Sequence, residues 1–428
     1  MAKSLTKSIQ IPQCAFANLV PVSVPPLAAV LSDVKSAFFG LCVQAGKEVL
    51  GAMMEADRVR VCGPKGRPDP DRRANRGGHT RSWVTLGGRR MAILRPRARS
   101  MAGEEMSLAS FRWAAGADPL NEATLAAIAA GVSTRRYAGT LDPLPAPQAQ
   151  CSVSKSAVSR RFVALSAARL AEWLSRSLAE LDLAVVLVDG IHFRDRVVLL
   201  ALGIDTRGEK HVLGLREGST ENATVVRALI SDLIERGLDP ERPRLWVIDG
   251  AKALRRAIRD HFGEAALVQR CQVHKLRNVL EHLPERLRPS VRRALPDAWN
   301  SRDAELALRQ LERLARSLGR EHPGAAASLR EGMEETLTVQ RLGLEGALAR
   351  TLRTTNSLEN LNGAVAHHTR NVRRWRDGQM LLRWIGAALI EATRGFRRVR
   401  GYRDLPKLCT ALQHHHGAHT VAVVRKVA

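Results

Sequence analysis

Two aspartates follow apolar runs in the same way: Asp189 comes after Ala184–Val188 (AVVLV) and before Gly190, and Asp249 after Arg244–Ile248 (RLWVI) and before Gly250. An acid at the C-terminal end of a central strand faces the crevice in which α/β sheets bind ligands. Asp-Gly is also a common turn dipeptide, and either acid taken singly is more often structural. The pair shifts that weighting. Two strands ending alike bring two carboxylates together, which is costly unless a divalent cation lies between them. Magnesium suits such hard oxygen ligands. In a two-ion site, with ions roughly 3.5–4 Å apart, one activates the attacking oxygen and the other stabilises the leaving one. A third carboxylate would complete the set. Glu359, in RTTNSLENLNGAV, falls in the first turn of a helix capped by Thr355 or Asn356. It reads equally well as a helix-start glutamate favoured by the dipole. No GxxxxGK[ST] sequence occurs, which weakens a nucleotide-hydrolysing alternative for VLVDG.

The elements that position these acids follow from periodicity. Ala184–Val188, Val197–Ile204 and His211–Leu215 are short apolar runs separated by turns, which predicts a three-stranded meander. Thr220 can cap a helix in which Ala223, Val226, Leu229, Ile230, Leu233 and Ile234 recur at helical spacing. A strand over 244–248, a helix over 251–262, a strand around 267–270 and a helix from His274 complete a β-β-β-α-β-α-β-α order. That order implies a mixed sheet with helices on both faces. From Pro284 to Arg353 β character disappears and Leu308, Leu311, Leu314 and Leu318 repeat at helical spacing, which predicts an α-helical insertion.

Lys and Arg outnumber Asp and Glu by 67 to 42, a formal charge of +25 over 428 residues. Such a surface attracts a polyanion, so DNA is the expected partner. No stretch is long and apolar enough for a membrane span. The six cysteines, at 14, 42, 62, 151, 271 and 409, form no CxxC pair, as in a reduced cytoplasmic protein. Residues 57–100 hold thirteen Arg or Lys against three Asp, interrupted by Gly and Pro. This predicts short strands and loops with a positive surface, after a helix from Leu27 ending near Asp57. A helical stretch over 121–131 and a linker over 143–150 lead to a further helix, capped by Ser152 or Ser154. Its early turns carry Lys155, Ser156, Ser159, Arg160 and Arg161, with Val158, Phe162 and Leu165 inward. A recognition helix is built this way, and so is a plain amphipathic linker. The divisions expected are a loosely ordered tail (1–26), a basic N-terminal module (27–120), a helix-turn-helix-like DNA-binding region (121–180), the first part of the α/β core (181–283), the insertion (284–353), and final helices with a basic tail (354–428). In the last, Trp375 and Trp384 suit core packing better than base stacking.

The segments VVLVDGIHFRDRVVLLALGIDTRGEKHVLGLREGSTENATVVRALISDLIERGL, LWVIDGAKALRRAI, RCQVHKLRNV and RTTNSLENLN resemble, in this order, the Mutator-type family of bacterial insertion-sequence transposases over roughly residues 110–405. The resemblance implies an RNase H-like catalytic core with an α-helical insertion before the final acid, beside a mainly α-helical N-terminal DNA-binding region. It implies Asp189, Asp249 and Glu359 as catalytic ligands of two Mg2+ or Mn2+ ions. It also implies a supporting Cys-x-x-His element at Cys271 and His274. Spacing alone would make that pair half of a zinc site, but no second pair follows at finger distance. Many relatives carry a basic residue two helical turns after the Glu, where this chain has Ala366, His367 and His368, with Arg370 and Arg373 beyond as candidate DNA contacts. The expected activity is cleavage at terminal inverted repeats and joining of 3′-hydroxyl ends to target DNA by a homo-oligomer on nucleoid DNA. A regulator without chemistry and a metal-dependent nuclease of the same fold are the alternatives.

Overall fold

The computed structural model describes residues 27–67, 69–86, 88–116, 137, 155–193, 196–218, 223–301, 303–372 and 374–427. The expected tail, the helix over 121–131, the linker over 143–150, the caps at Ser152, Ser154 and Thr220, and Arg373 lie outside them. The chain divides into two compact units, one including residues 1–121 and the other residues 154–428.

In the first unit α1 (Leu27–Cys62) is followed by β1 (Ala74–Leu86), β2 (Arg89–Ser100), the short β3 (Glu105–Met106) and α2 (Ala109–Gly116), the strands forming one sheet in the order β1-β2-β3. Two expectations are corrected. The helix runs past Asp57, whose carboxylate instead accepts from the Ser110 amide and hydroxyl, both at 2.7 Å, and so seats α2. The basic segment forms not short strands but an antiparallel hairpin of 13- and 12-residue strands. Its arginines conceal a clear alternation: Val84, Leu86, Met91 and Ile93 are buried with Val43, Leu50 and Met54 of α1. Pro96 is tolerated because it pairs with His79, beside the register shift where the ladder is already irregular.

The second unit begins with α3 (Lys155–Ser175). Its sheet comprises β4 (Leu183–Phe193), β5 (Arg196–Asp205), β6 (Lys210–Gly218), β7 (Leu245–Ile248) and β8 (Leu267–Arg270), with α4 (Ala223–Glu235) and α5 (Lys252–Phe262) between them. The order is β6-β5-β4-β7-β8, antiparallel through the meander and parallel from β4 to β7 to β8. Then come α6 (Gln272–Glu281), α7 (Arg288–Trp299), α8 (Ala304–Leu318), α9 (Pro323–Arg330), α10 (Thr338–Arg341), α11 (Gly346–Leu352), α12 (Asn356–Thr369), α13 (Gly378–Thr393) and α14 (Leu405–Val427).

Alternate side chains of β4 serve two cores. Val186 and Val188 pack with Leu229, Leu233, Leu254 and Ile258 of α4 and α5 on one face. Val185 and Leu187 pack with Leu358, Leu361 and Val365 of α12 and with Leu381 and Ile385 of α13 on the other. The sheet is therefore mixed and covered on both faces. Residues of α7, α8 and α9 form a separate core around Leu295, Leu311 and Leu329. Polar bonds tie this helical region to the sheet: Gln269 Nε2 donates to the Thr336 carbonyl at 3.0 Å, and the Val339 amide to Gln269 Oε1 at 2.8 Å. The buried Lys275 ammonium donates to the carbonyls of Ser328 and Glu331 at 2.5 and 2.6 Å. Trp384 packs on Phe162 of α3 with ring centroids 4.6 Å apart and planes inclined by 49°, and Trp375 meets Phe193 edge-on at 5.6 Å, so both tryptophans pack against the protein.

Candidate active site

The parallel pairing of β4 with β7 ends at Val188 opposite Ile248, so the next residue in each chain direction is an aspartate. Neighbouring strands lie about 4.8 Å apart, which makes Asp189 and Asp249 neighbours at one end of the sheet. The two Asp-Gly pairs differ in conformation. Asp189 does not end its strand: β4 continues to Phe193, held by β5 through Asp189 opposite Leu200 and Gly190 opposite Leu199. An apolar-run reading stops at the first charge, whereas backbone pairing does not. Asp189 is 5% exposed, and its Oδ1 accepts from the Gly190 amide at 3.0 Å. Asp249 does sit in a turn, its Oδ1 accepting from the Ala251 amide at 3.0 Å, with Gly250 at φ +114°.

That glycine is required by its neighbour as well as by its φ. A Cβ at Gly250 would overlap Nε of Arg270, and one at Gly332 would approach Arg270 Nη1 to 2.5 Å. The buried Arg270 guanidinium thus lies between two glycine backbones, and its Nη1 donates to the Glu331 carbonyl at 3.0 Å. Sequence reasoning missed Arg270, because the two glycines that make room for it lie far apart in the chain.

After β8 the Cys271 amide donates to the Ile248 carbonyl at 2.7 Å, which starts α6 beside Asp249. The Thr355 hydroxyl does not cap α12 as expected; it lies 3.4 Å from Cys271 Sγ and 3.3 Å from His274 Nδ1. The Gln272 amide also donates to the Arg353 carbonyl at 2.9 Å, so the start of α12 is fastened to the start of α6. Glu359, one turn further on, faces the same helix. Its Oε1 lies 3.8 Å from His274 Nε2 and 3.3 Å from Arg277 Nη1. Arg277 was also missed, although His-x-x-Arg puts both side chains on one helical face.

Burial pushes the Cys271 thiol up, but hydrogen bonds with His274 and Thr355 outweigh it and leave the thiol below its usual range. The hydrogen bond with Cys271 raises the His274 pKa to about 9 against the effect of burial, with the negative fields of Asp189 and Asp249 adding to it. His274 thus lies beside Glu359, at 3.8 Å, and within the negative fields of the two aspartates. The three acids do not close into a tight cluster; Glu359 is drawn towards Arg277.

Among the described residues, the group whose ligand atoms all lie within 4.8 Å of one another is Asp205, Glu209 and His211. It sits at the other end of the sheet: Asp205 pairs with Leu183, six residues along β4 from Asp189, about 20 Å away. Asp205 is committed to its turn, accepting from the Arg207 and Glu209 amides at 2.9 and 2.8 Å and meeting His211 Nε2 at 3.1 Å.

The four expected contacts Lys155, Ser156, Ser159 and Arg160 are exposed on the first turns of α3, and Arg161 is half-buried; Val158 and Phe162 are buried and Leu165 half-buried. Arg370 is exposed past α12, its Nη1 3.4 Å from His367 Nδ1.

Residues 30–398 match the description "Transposase, Mutator family". The chain belongs to that family. Its relatives include the transposase for insertion sequence element IS6120 of Mycolicibacterium smegmatis, 30% identical over 46% of this chain and 61% of that protein. The transposase for IS256 in transposon Tn4001 of Staphylococcus aureus is 30% identical over 61% of this chain and 67% of its own length. That for ISRM5 of Rhizobium meliloti is 28% identical over 85% and 90%. The match with the Mycolicibacterium protein thus spans about three fifths of its length. Membership in this family implies a DNA-processing enzyme and a metal-dependent reaction. No described helix is long and apolar enough to cross a membrane.

The donor set at the parallel end of the sheet suits a hard cation. Three carboxylates contribute only oxygen, and the one sulfur nearby, on Cys271, is fully buried and turned to Thr355 and His274.

Proposed function

We propose that the chain is an insertion-sequence transposase with an RNase H-like catalytic core, in which Asp189, Asp249 and Glu359 hold two divalent cations, Mg2+ or Mn2+. The observation that supports this best is that β4 and β7 pair in parallel up to Val188 and Ile248, which puts Asp189 and Asp249 side by side at one end of the sheet, while α6, starting beside Asp249, carries His274 3.8 Å from Glu359. Cations held there would neutralise charge on a phosphodiester and activate the attacking oxygen. The chain's own residues have separate tasks. β4 and the Gly250 turn fix two carboxylates, and the Thr355–Cys271 contact fixes the helix that carries the third. His274 and Arg277 add positive charge beside Glu359, which would attract a phosphate.

In the first step water attacks a phosphodiester at the element end: a P–O bond forms, the bond to O3′ breaks, and the departing oxygen takes a proton to become a 3′-hydroxyl. In the second, that hydroxyl attacks a target phosphodiester, forming one P–O bond as another breaks, so no external energy source is needed. The α3 face of Lys155, Ser156, Ser159, Arg160 and Arg161, Arg370 and Arg373, and the basic first unit bind the terminal repeats and target. The helical residues 284–353 are the insertion that separates Glu359 from the two aspartates. A homo-oligomer would hold two ends together.

Purified protein with magnesium and labelled element ends should give 3′-hydroxyl nicks and joined strands, and Asp249→Asn should give neither. If wild type and Asp249→Asn behave alike, the catalytic assignment is wrong. Nicks without joined products would make the protein a nuclease.

A further inference from the structure

The hairpin of the first unit has a solvent face that the catalytic reading does not use. Pairing of Arg81 with Leu94, Trp83 with Ala92 and Thr85 with Arg90 puts these six side chains on one side of the ribbon, opposite the buried Val84, Leu86, Met91 and Ile93. A half-buried ribbon ordinarily turns polar residues outward. Here Trp83 is 41% exposed and Leu94 66% exposed. The indole lies between cations: the guanidinium carbons of Arg81 and Arg90 are 5.4 and 4.9 Å from its ring centroid.

The nearby acids are committed elsewhere. Glu105 pairs with Arg95 and Arg97 at 2.9 and 2.8 Å, Glu55 with Arg58 and Arg76, and Asp57 with Arg60. No carboxylate among the described residues pairs with Arg81 or Arg90. Two exposed, uncompensated guanidiniums around a flat aromatic ring offer phosphate contacts and apolar contact from one rigid surface. A two-stranded ribbon also fits the major groove of duplex DNA, about 12 Å wide.

We infer that this ribbon face, centred on Trp83 between Arg81 and Arg90, docks on double-stranded DNA. Arg81 and Arg90 meet phosphates, while Trp83 and Leu94 meet sugar and base edges. The inference rests on the proposed transposase reading for its class of partner and adds the surface that engages it. Strand β1 is anchored from behind by α1, so the side chains meet DNA already ordered, which limits the entropy lost on binding.

The test is equilibrium binding of full-length protein to fluorescent DNA in EDTA, over a range of salt, with element-end duplex, unrelated duplex and single strand as probes. Arg81→Gln/Arg90→Gln should flatten the slope of log affinity against log salt by about 1.8, the loss of two phosphate contacts. Arg81→Lys/Arg90→Lys should keep the slope. Trp83→Ala should weaken duplex binding about tenfold with little change in slope. Wild-type affinity and slope in both Trp83→Ala and the Gln pair, losses confined to the single strand, or no duplex binding by wild type would each overturn the inference. Thermal melting of every variant separates lost contact from lost fold, and the Lys pair supports the test if the Gln pair unfolds. Because cleavage is not read, failure of the nicking assay leaves this result intact. Conversely, unaltered binding by the variants leaves the catalytic proposal standing.

Discussion

Gly250→Ala tests the arrangement that holds Asp249. At φ +114° a residue with a Cβ is strained by about 1–3 kcal/mol. The new Cβ would also overlap Arg270 Nε, so the guanidinium must leave its position between Gly250 and Gly332. It then loses its bonds to the Glu331 carbonyl at 3.0 Å and carboxylate at 3.3 Å, together about 1.5–3 kcal/mol for a charged donor. The single variant should thus be less stable by about 2.5–6 kcal/mol. In an Arg270→Ala background only the backbone strain remains. The two substitutions should therefore be non-additive, with a coupling of about 2 kcal/mol. Urea unfolding followed by circular dichroism and tryptophan emission measures this, since five of the seven tryptophans lie in the larger unit. Nicking by Gly250→Ala should fall by about 100-fold, because small displacements of a positioned carboxylate are costly. Additive effects of Gly250→Ala and Arg270→Ala would refute the idea that the guanidinium presses on this turn.

Three further outcomes follow from the same region. In Cys271→Ala the His274 imidazole, no longer bonded to sulfur, should titrate far below about 9, read from its ring resonances by NMR. Because the folded pKa is raised above 6.5, wild-type His274 contributes stability that is fully present below about pH 6.5 and lost as pH rises through about 9. The variant should lack that decline. Burial lowers Lys275 to about 8 from 10.5, so the unfolded chain binds more protons between those values and stability should rise with pH there; Lys275→Met should abolish the rise in pH-dependent urea midpoints. Arg277→Gln removes the cation nearest Glu359, and half-saturation by Mg2+ in the nicking assay should fall, by no more than about fivefold because the pair is largely exposed. An unchanged or raised requirement would show that Arg277 does not compete for this carboxylate.

What periodicity conveys and what it hides can be traced residue by residue. The positions of Asp189 and Asp249 were legible because the apolar runs Ala184–Val188 and Leu245–Ile248 before them demand buried strands, and two parallel strands bring their ends together. The continuation of β4 beyond Asp189 was not, since it depends on pairing with Leu199 and Leu200 rather than on its own composition. The long hairpin was hidden for a related reason. Arginines at alternate positions obscured Val84, Leu86, Met91 and Ile93, and Pro96 looked like a strand breaker until its place beside the register shift was known. Glu359 shows the larger limit. Its helix is plain from Leu358, Leu361 and Val365, but its place beside α6 depends on Thr355 meeting Cys271 and on the Arg353 carbonyl accepting from Gln272, contacts across more than eighty residues. No local pattern encodes such contacts. They are also what makes the proposed site sensitive to changes outside its acids. Thr355, Arg270 and Gly250 reach no substrate in the proposed chemistry, yet each fixes the backbone from which a carboxylate projects. Substitutions there should lower the rate of nicking at saturating DNA more than they weaken DNA binding, whereas substitutions on the exposed ribbon face should do the reverse.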